Sequence, residues 1–244
     1  MASTDSSARE IFCSLVIPCY NEEGNLARLV GGFAAALSAP DFELIVVDNG
    51  STDASGAALR ALAPEFPFLR VVTVPENRGY GHGINEGLKT ARGLYAGWAH
   101  GDLQYDPAEI LAAVDRLRSG RGEKIFLKGL RGARPPAETF FTAGMAVFES
   151  LLFGTVLRDI NGQPTLFHRS LLGHWAGAPE NFLLDLYAYA LARKLGFTVL
   201  RVPMRLGERT SGVSSWNRGL GDRLGLAARN IKGSLALRRA LRRF

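Results

Sequence analysis

Four short apolar runs, each closed by a polar, turn-rich loop, constrain the fold of this 244-residue chain more than any other feature. The first runs from Ile11 to Ile17 and ends at Pro18-Cys19-Tyr20-Asn21-Glu22-Glu23-Gly24-Asn25, after which Leu26, Leu29, Val30 and Phe33 mark a helix. The second, Phe42 to Val47, ends at Asp48-Asn49-Gly50-Ser51-Thr52-Asp53 and another helix. The third, Val71 to Val74, is followed by Glu76-Asn77-Arg78-Gly79-Tyr80-Gly81-His82-Gly83 and a helix from about Ile84 to Ala91. The fourth spans Leu94 to Ala99. Strands apolar throughout are buried on both faces, and their alternation with helices requires right-handed crossovers and a mostly parallel sheet. Such sheets bind ligands at the carboxyl ends of their strands, where every one of these polar loops falls.

The fourth run leads into His100-Gly101-Asp102-Leu103-Gln104-Tyr105-Asp106-Pro107. His100, Asp102 and Gln104 hold alternate positions, and in an extended segment they face the same way, a set suited to holding a divalent metal against a diphosphate. The stretch also reads as a helix start, with Asp106 as N-cap, Pro107 at N1 and Glu109 at N3, ahead of a helix from about Ala108 to Leu117. The two readings are compatible. Taken singly, Asp48 and Asp53 are ordinary turn and cap formers; gathered with the Asn-Glu loop on one sheet edge they point to a ligand. The glycines from Gly79 to Gly83 lack the spacing of a dinucleotide loop, and read as close packing at a helix N-terminus or an approach to phosphate.

The second half is less regular. A strand from Lys124 to Gly129 is followed by a basic connection, Leu130-Arg131-Gly132-Ala133-Arg134-Pro135-Pro136, and a mostly apolar helix from about Glu138 to Phe153. Residues Asp159 to Arg169 combine polar turn residues with a short apolar run; Asn181 to Leu195 reads as a helix carrying Asp185, and Val199 to Val202 as a last strand. With 47% apolar residues the chain can bury a large core, but no run of about eighteen apolar residues marks a membrane span. The first ten residues lack an apolar signal core and read as a loose tail. Cys13 and Cys19 lie within or beside one strand, where a bridge would be strained, and read as reduced, buried residues of a cytoplasmic protein.

The net charge of +6 is unevenly placed. Residues 201–244 carry eleven Lys and Arg against Glu208 and Asp222, which leaves the first 200 residues with 18 basic and 21 acidic side chains. From Gly219 to Phe244, Leu220, Leu224, Ala227, Ile231 and Leu235 form one helical stripe, Leu237, Leu241 and Phe244 continue nearby, and Arg223, Arg229, Lys232, Arg238, Arg239, Arg242 and Arg243 surround it. Such a helix either lies on an anionic membrane surface or packs its stripe on the core and leaves a solvated basic face.

Pro18-Cys19-Tyr20-Asn21-Glu22-Glu23, Asp48-Asn49-Gly50-Ser51-Thr52-Asp53, Glu76-Asn77-Arg78-Gly79 and Gly101-Asp102-Leu103-Gln104-Tyr105-Asp106-Pro107 occur in the order seen in family 2 glycosyltransferases. From about Ser14 to Trp216 the chain resembles their dolichyl-phosphate mannose synthase and polyprenyl-phosphate glycosyltransferase branch. The resemblance implies an α/β, GT-A fold over residues 11–218, after a flexible tail at 1–10 and before the basic amphipathic helix at 219–244. It implies that Pro18, Tyr20, Glu22 and Asp48 line the nucleotide pocket, with Arg209 closing on the diphosphate. Asp102 and Gln104 match the family's metal- and diphosphate-binding segment, with His100 beside them and Mg²⁺ or Mn²⁺ as the ion. Arg131 and Arg134 match a loop that meets a lipid phosphate, and Asp185 an acidic position on the late helix. The implied reaction is inverting transfer of a sugar from a GDP- or UDP-sugar to a polyprenyl phosphate at the cytoplasmic face of the membrane, with peripheral membrane contact and no nucleic-acid partner.

Three positions depart from the branch: His100 replaces the first Asp of D-x-D, Asn49 the second Asp of an Asp-Asp pair, and Ser215 a Lys. Asn161-Gly162-Gln163-Pro164 also replaces a Thr-Ser-Gly-Phe segment. A phosphate acceptor is already an anion and needs no strong base; if the acceptor is instead a saccharide hydroxyl, Asp185 is the natural general base. A third reading, a nucleotide-binding fold without turnover, rests on His100 and Ser215, and retention of Asp48, Asp102, Gln104 and Arg209 opposes it.

Overall fold

The computed structural model describes residues 10–120, 122, 124–132, 136–205, 207 and 220–244, without the side chains of 136–141 and 220–229. Of the expected N-terminal tail only Glu10 is described. The elements run β1 (Cys13–Cys19), α1 (Glu23–Ala36), β2 (Phe42–Asn49), α2 (Ser55–Leu62), β3 (Leu69–Val74), α3 (Tyr80–Thr90), β4 (Tyr95–Trp98), α4 (Pro107–Ser119), β5 (Ile125–Arg131), α5 (Pro136–Phe153), β6 (Thr165–His168), a 3₁₀ turn (Arg169–His174), α6 (Leu184–Lys194), β7 (Thr198–Met204) and α7 (Leu220–Ala240). Seven strands form one sheet in the order β3-β2-β1-β4-β6-β5-β7. The β3-β2-β1-β4 half and the β5–β7 pair are parallel, and β6 alone runs antiparallel, to both β4 and β5. The expected mostly parallel α/β sheet is therefore present, with its exception in the short apolar run after Asn161.

Alternate strand residues feed two cores. Leu15 and Ile17 of β1 and Leu44 and Val46 of β2 pack with Leu26, Leu29 and Phe33 of α1 and Ile110 and Val114 of α4. Val16, Ile45, Val47 and Trp98 face the other way, onto Ile84 and Leu88 of α3 and the apolar side of α6. Burial on both faces is why these strands read as unbroken apolar runs. α4 begins as expected, with Pro107 at its first turn and the Asp106 carboxylate accepting from Ala108 N at 2.8 Å. α3 begins four residues before the expected Ile84, because glycines that propensity places outside a helix lie inside it here.

One expectation is corrected. β4 ends at Trp98, and residues 101–105 bend rather than continue extended: Asp102 Oδ1 accepts from Gln104 N at 3.2 Å and Leu103 takes φ +59°. The alternation argument for His100, Asp102 and Gln104 thus fails, since the side chain that starts the loop also folds it back. In the described part of α7 Ser234 and Leu237 are buried, as is Leu241 just after it, while Ile231 and Leu235 of the sequence stripe are exposed. Leu237 and Leu241 join the core cluster of α6, so the face they share, rather than that of Ile231 and Leu235, holds the helix. Leu220, Leu224, Ala227, Arg223 and Arg229 have side chains outside the described residues. No described helix is long and apolar enough to cross a membrane. Cys13 and Cys19 are buried free thiols, and burial raises both, Cys19 to about 12.

Opposite the ligand edge, buried Glu43 gathers the sheet's amino end. It accepts from Ser14 Oγ (2.6 Å), from Arg92 N (2.9 Å) and Nε (2.9 Å), and from Arg70 Nη1 (3.1 Å). Burial pushes its carboxyl up, but the bonds from Ser14, Arg92 and Arg70 outweigh it and hold the group below the usual range. A depressed folded-state value stabilises fully above the unfolded value of about 4.3, and that stability is lost as pH falls through the folded value. Glu43→Gln is expected to cost about 2–3 kcal/mol at neutral pH and to flatten the acid limb of a urea-unfolding series. An unchanged acid limb would refute this role.

Candidate active site

Parallel pairing sets the strand ends side by side: Cys19 registers with Asp48, Asn49 with Val74, and Val16 with Trp98. The loops after β1 and β2 are then clamped together. Asn21 Oδ1 accepts from Thr52 N at 2.8 Å, Asn21 N donates to Ser51 Oγ at 3.1 Å, and Glu22 N donates to Ser55 Oγ at 2.9 Å. This gathers Pro18, Tyr20, Glu22 and Asp48 on one edge. The Tyr20 ring is exposed and available to stack, the Glu22 carboxylate accepts from Asn25 at 2.6 Å, and buried Asp48 accepts from Ser51 N at 3.1 Å. Asn49, the neutral residue of the pair, donates to the Gly79 carbonyl at 3.0 Å, a bond a carboxylate cannot make.

The glycines at the start of α3 turn out to serve packing. A side chain at Gly81 would meet Pro179 O at 2.5 Å and Asn181 O at 2.7 Å, and one at Gly79, where φ is +118°, would meet Glu180 O at 2.7 Å. The 179–181 backbone fills that space, with His82 N donating to Glu180 O at 3.0 Å and Arg78 gripping the Glu180 carboxylate at 2.8 and 2.9 Å. Of the two sequence readings of these glycines, close packing is the one realised.

The loop after β4 joins the other half of the sheet. Gln104 O accepts from Gly207 N at 2.8 Å, so the chain leaving β7 returns to the Asp102–Gln104 turn. Tyr105, next along, is buried; burial pushes its hydroxyl up to about 12, opposed by Arg131 and the Gln163 backbone and assisted by Asp159 and Asp102. Asp102 and Arg131, 29 residues apart in sequence, therefore share the surroundings of one hydroxyl. Arg131 is held by Asp159, its Nε donating at 2.6 Å and its backbone N at 2.8 Å. Arg201 lies close by with both terminal nitrogens buried and without a hydrogen-bond partner among the described residues, and burial lowers its basicity. A cavity of about 740 Å³ opens alongside, between Glu109 and Arg116 of α4 and Gly132, Met204 and Arg205. Arg134, Arg209 and Ser215 lie outside the described residues.

Beneath the loop is a polar network the sequence reading missed. Lys128 of β5, fully buried, donates to Asp185 Oδ1 of α6 at 2.8 Å and to Thr165 Oγ1 of β6 at 2.6 Å. Gln163 Nε2 donates to the same Asp185 oxygen at 3.1 Å and to the Tyr80 hydroxyl at 3.3 Å. Burial lowers the Lys128 ammonium's basicity, and Asp185 opposes that. The Tyr80 ring then meets His100 edge-on, with centroids 5.3 Å apart, and stacks on Phe182 at 4.8 Å. Asp185 is 2% exposed, and its Oδ1 is committed to the Lys128 ammonium and to Gln163 within the fold. The missed signal was Lys128 itself, a lone charge inside Ile125-Phe126-Leu127-Lys128-Gly129-Leu130, which implies a buried counter-charge.

A metal at this edge is tested by the donor set. Among the described residues no three His, Cys, Asp or Glu converge to hold an ion. Asp102 and Gln104, joined in one turn, are oxygen donors of the kind Mg²⁺ or Mn²⁺ takes when substrate phosphate oxygens supply the remaining ligands, while the His100 ring packs on Tyr80.

Comparison with known proteins agrees with this layout. The family model described as "Glycosyl transferase family 2" matches residues 14–148. A dodecaprenyl-phosphate galacturonate synthase of Rhizobium johnstonii is 39% identical over 134 residues, 54% of this chain and 39% of that protein. A dolichol-phosphate mannosyltransferase of Pyrococcus furiosus is 27% identical over 121 residues, 50% of this chain and 34% of that protein. These matches span well under half the length of the curated relatives. Glucosyl-3-phosphoglycerate synthase of Mycobacterium tuberculosis, crystallised with Mn²⁺, uridine diphosphate and glucosyl-3-phosphoglycerate, superimposes with a TM-score of 0.70 at 22% identity, over 93% of this chain and 80% of that one, and so shares the fold.

Lys128→Met leaves the Asp185 carboxylate buried without its ammonium and is expected to cost about 3–5 kcal/mol in chemical denaturation. Lys128→Met combined with Asp185→Leu is expected to recover most of that loss. If the single variant is as stable as the parent, the pair does not bind β5 to α6.

Proposed function

Because the chain belongs to glycosyl transferase family 2, we propose that it moves a sugar from a nucleoside diphosphate sugar to the phosphate of a polyprenyl lipid. One observation carries the choice of acceptor: the acid available as a base for a hydroxyl, Asp185, is enclosed and paired with Lys128. A phosphate oxygen needs no base at neutral pH. The relatives named as dodecaprenyl- and dolichol-phosphate sugar transferases support the same acceptor class.

In this reading Tyr20 stacks on the base, Pro18, Glu22 and Asp48 border the nucleoside, and Asp102 with Gln104 and His100 holds the divalent ion. When bound, that ion neutralises charge developing on the departing diphosphate. Arg131, oriented by Asp159, sets the acceptor phosphate against the anomeric carbon, with Arg134 assisting from the same loop and Arg209 closing on the diphosphate. An acceptor oxygen forms the new bond to that carbon as the bond to the diphosphate oxygen breaks, the nucleoside diphosphate leaves with the electron pair, and the configuration inverts. Asp185 and Lys128 act as supports for this edge rather than as reactants.

The acceptor class also calls for a membrane. α5 and α7 lie together, with buried Ser234 donating to Glu149 Oε1 at 2.5 Å. They leave Val147, Leu151 (79% exposed), Ile231 and Leu235 outward, with exposed Lys232, Arg238, Arg239 and Arg242 on the same C-terminal helix segment. An apolar surface accompanied by cations suits peripheral contact with an anionic leaflet, here the inner face of the cell membrane.

The reading is tested by incubating purified protein with GDP- and UDP-sugars, Mg²⁺ or Mn²⁺ and a short polyprenyl phosphate, followed by mass spectrometry of the lipid. A glycosyl-phospholipid product is expected, with Asp102→Ala losing it at least about 100-fold while keeping the parent's melting temperature. Donor consumption with sugar found only on a saccharide acceptor would overturn the lipid reading. For the membrane contact, Leu235→Asp is expected to abolish sedimentation with anionic vesicles. Truncation at 219 is a poorer test, because it also removes Leu237 and Leu241 from the core. Undiminished sedimentation of Leu235→Asp would exclude this face.

A further inference from the structure

Glu109 stands at N3 of α4, three residues after the capping Asp106. A glutamate at that position ordinarily turns back onto its own helix and accepts from the backbone N–H of the capping residue. Here it reaches outward instead: Oε2 accepts from Arg205 N at 2.9 Å, just past the end of β7 at Met204. The backbone bond is the one that matters. The Arg205 side chain is 96% exposed with its Nε 3.8 Å from Glu109 Oε1, and an exposed pair at that distance contributes little. A carboxylate accepting from a backbone N–H makes a charge-assisted bond, roughly twice as strong as a neutral one.

That bond is the middle one of three that carry the chain from the sheet to the candidate metal loop. Gly132 N donates to Met204 O at 3.2 Å at the end of the β5–β7 ladder, Arg205 N turns to Glu109, and Gly207 N donates to Gln104 O at 2.8 Å. Gly207 sits so near that a Cβ there would lie 3.4 Å from the same oxygen. Gln104 N in turn donates to Asp102 Oδ1 at 3.2 Å. Both backbone groups of Gln104 are therefore committed, one to the carboxylate of its own loop and one to the chain leaving β7. Packing does little to hold this crossing, since Arg205 and Gly207 are exposed and the cavity of about 740 Å³ opens beside Arg205, toward Glu109 and Arg116 of α4. Arg205 and Gly207 take their positions from hydrogen bonds, and Glu109 supplies the one that comes from a rigid helix.

We propose that Glu109 is a positioning residue for the donor's diphosphate: it seats the chain leaving β7 against Gln104, and so fixes the turn in which Asp102 and Gln104 present oxygen donors to the ion and the diphosphate. It touches neither ion nor substrate. The inference rests on the donor-site reading above, not on the choice of acceptor, and adds the residue that joins the two halves of the sheet at that site.

The test uses the full chain, with UDP and GDP as probes in the presence of Mn²⁺ and binding followed by titration calorimetry. Glu109→Ala is expected to weaken Mn²⁺-dependent binding of whichever nucleoside diphosphate the parent takes by about tenfold. Glu109→Gln, whose amide oxygen still accepts from Arg205 N, is expected to recover most of that loss. Arg205→Ala, which keeps the backbone N–H and removes only the exposed guanidinium, is expected to bind as the parent does. In steady-state assays the donor's KM rises in Glu109→Ala while the acceptor's KM stays at the parent value. Undiminished binding by Glu109→Ala would overturn the inference, as would an equal loss in Arg205→Ala, which would place the effect in the side-chain pair. So would a Glu109→Ala whose melting temperature falls with its affinity while Glu109→Gln recovers the melting temperature alone, the mark of a role confined to the helix. If the parent binds neither UDP nor GDP with Mn²⁺, the donor-site reading fails and this inference fails with it, an outcome distinct from a parent that binds and a variant that binds equally.

Discussion

The ion pair between Lys128 and Asp185 is the constraint on which the ligand edge depends. Removing two charges from water costs several kcal/mol for each, and attraction offsets this only where geometry is good and further hydrogen bonds occupy the remaining lone pairs. Here the pair closes at 2.8 Å, Thr165 takes a second ammonium proton and Gln163 donates to the same carboxylate oxygen. The four groups come from β5, β6, α6 and the turn before β6, the one antiparallel strand and its surroundings. Gln163 passes the restraint to Tyr80, and Tyr80 to His100. A charged pair under the sheet edge thereby determines how the loop above it is supported.

That placement also explains the chemistry assigned to the edge. A carboxylate committed to a buried ammonium serves orientation better than proton transfer, which is the ground for proposing an acceptor that arrives ionised. Arg131 is bound to Asp159, and the terminal nitrogens of Arg201 are buried without a partner among the described residues. The combination suits two anions brought together, a diphosphate leaving and a phosphate attacking, in surroundings where each charge is matched by a fixed group.

Two of the departures from the family pattern have local causes. Asn49 in place of a carboxylate donates to the Gly79 carbonyl and thereby ties β2 to the start of α3, where an aspartate would face that oxygen with like charge. His100 in place of an aspartate presents a ring edge to Tyr80, a contact available only to an aromatic side chain. Both residues supply contacts that tie β2 and the loop after β4 to the start of α3. At Leu103, φ +59°, a residue with a side chain holds a conformation that glycine favours, in the turn that aims Asp102.

Much of this was legible in the residues themselves. Strands buried on both faces must be apolar throughout, a capped helix start is marked by its own residues, and parallel strands place their following loops on one edge; these local rules are why the mostly parallel sheet, the start of α4 and the gathering of Tyr20, Asp48 and Asp102 could be read from the chain. What only the tertiary structure decided were relations between distant segments. Asp185 reads as an available acid until Lys128, 57 residues earlier, is folded against it. Gly79 and Gly81 read either as close packing or as an approach to phosphate until the 179–181 backbone occupies the space, and the buried face of α7 is chosen by the surface it meets rather than by its own periodicity. Hydrophobic pattern and capping act over one turn or one strand, whereas the partner of a buried charge or the occupant of a glycine's empty side is fixed only when the chain closes on itself.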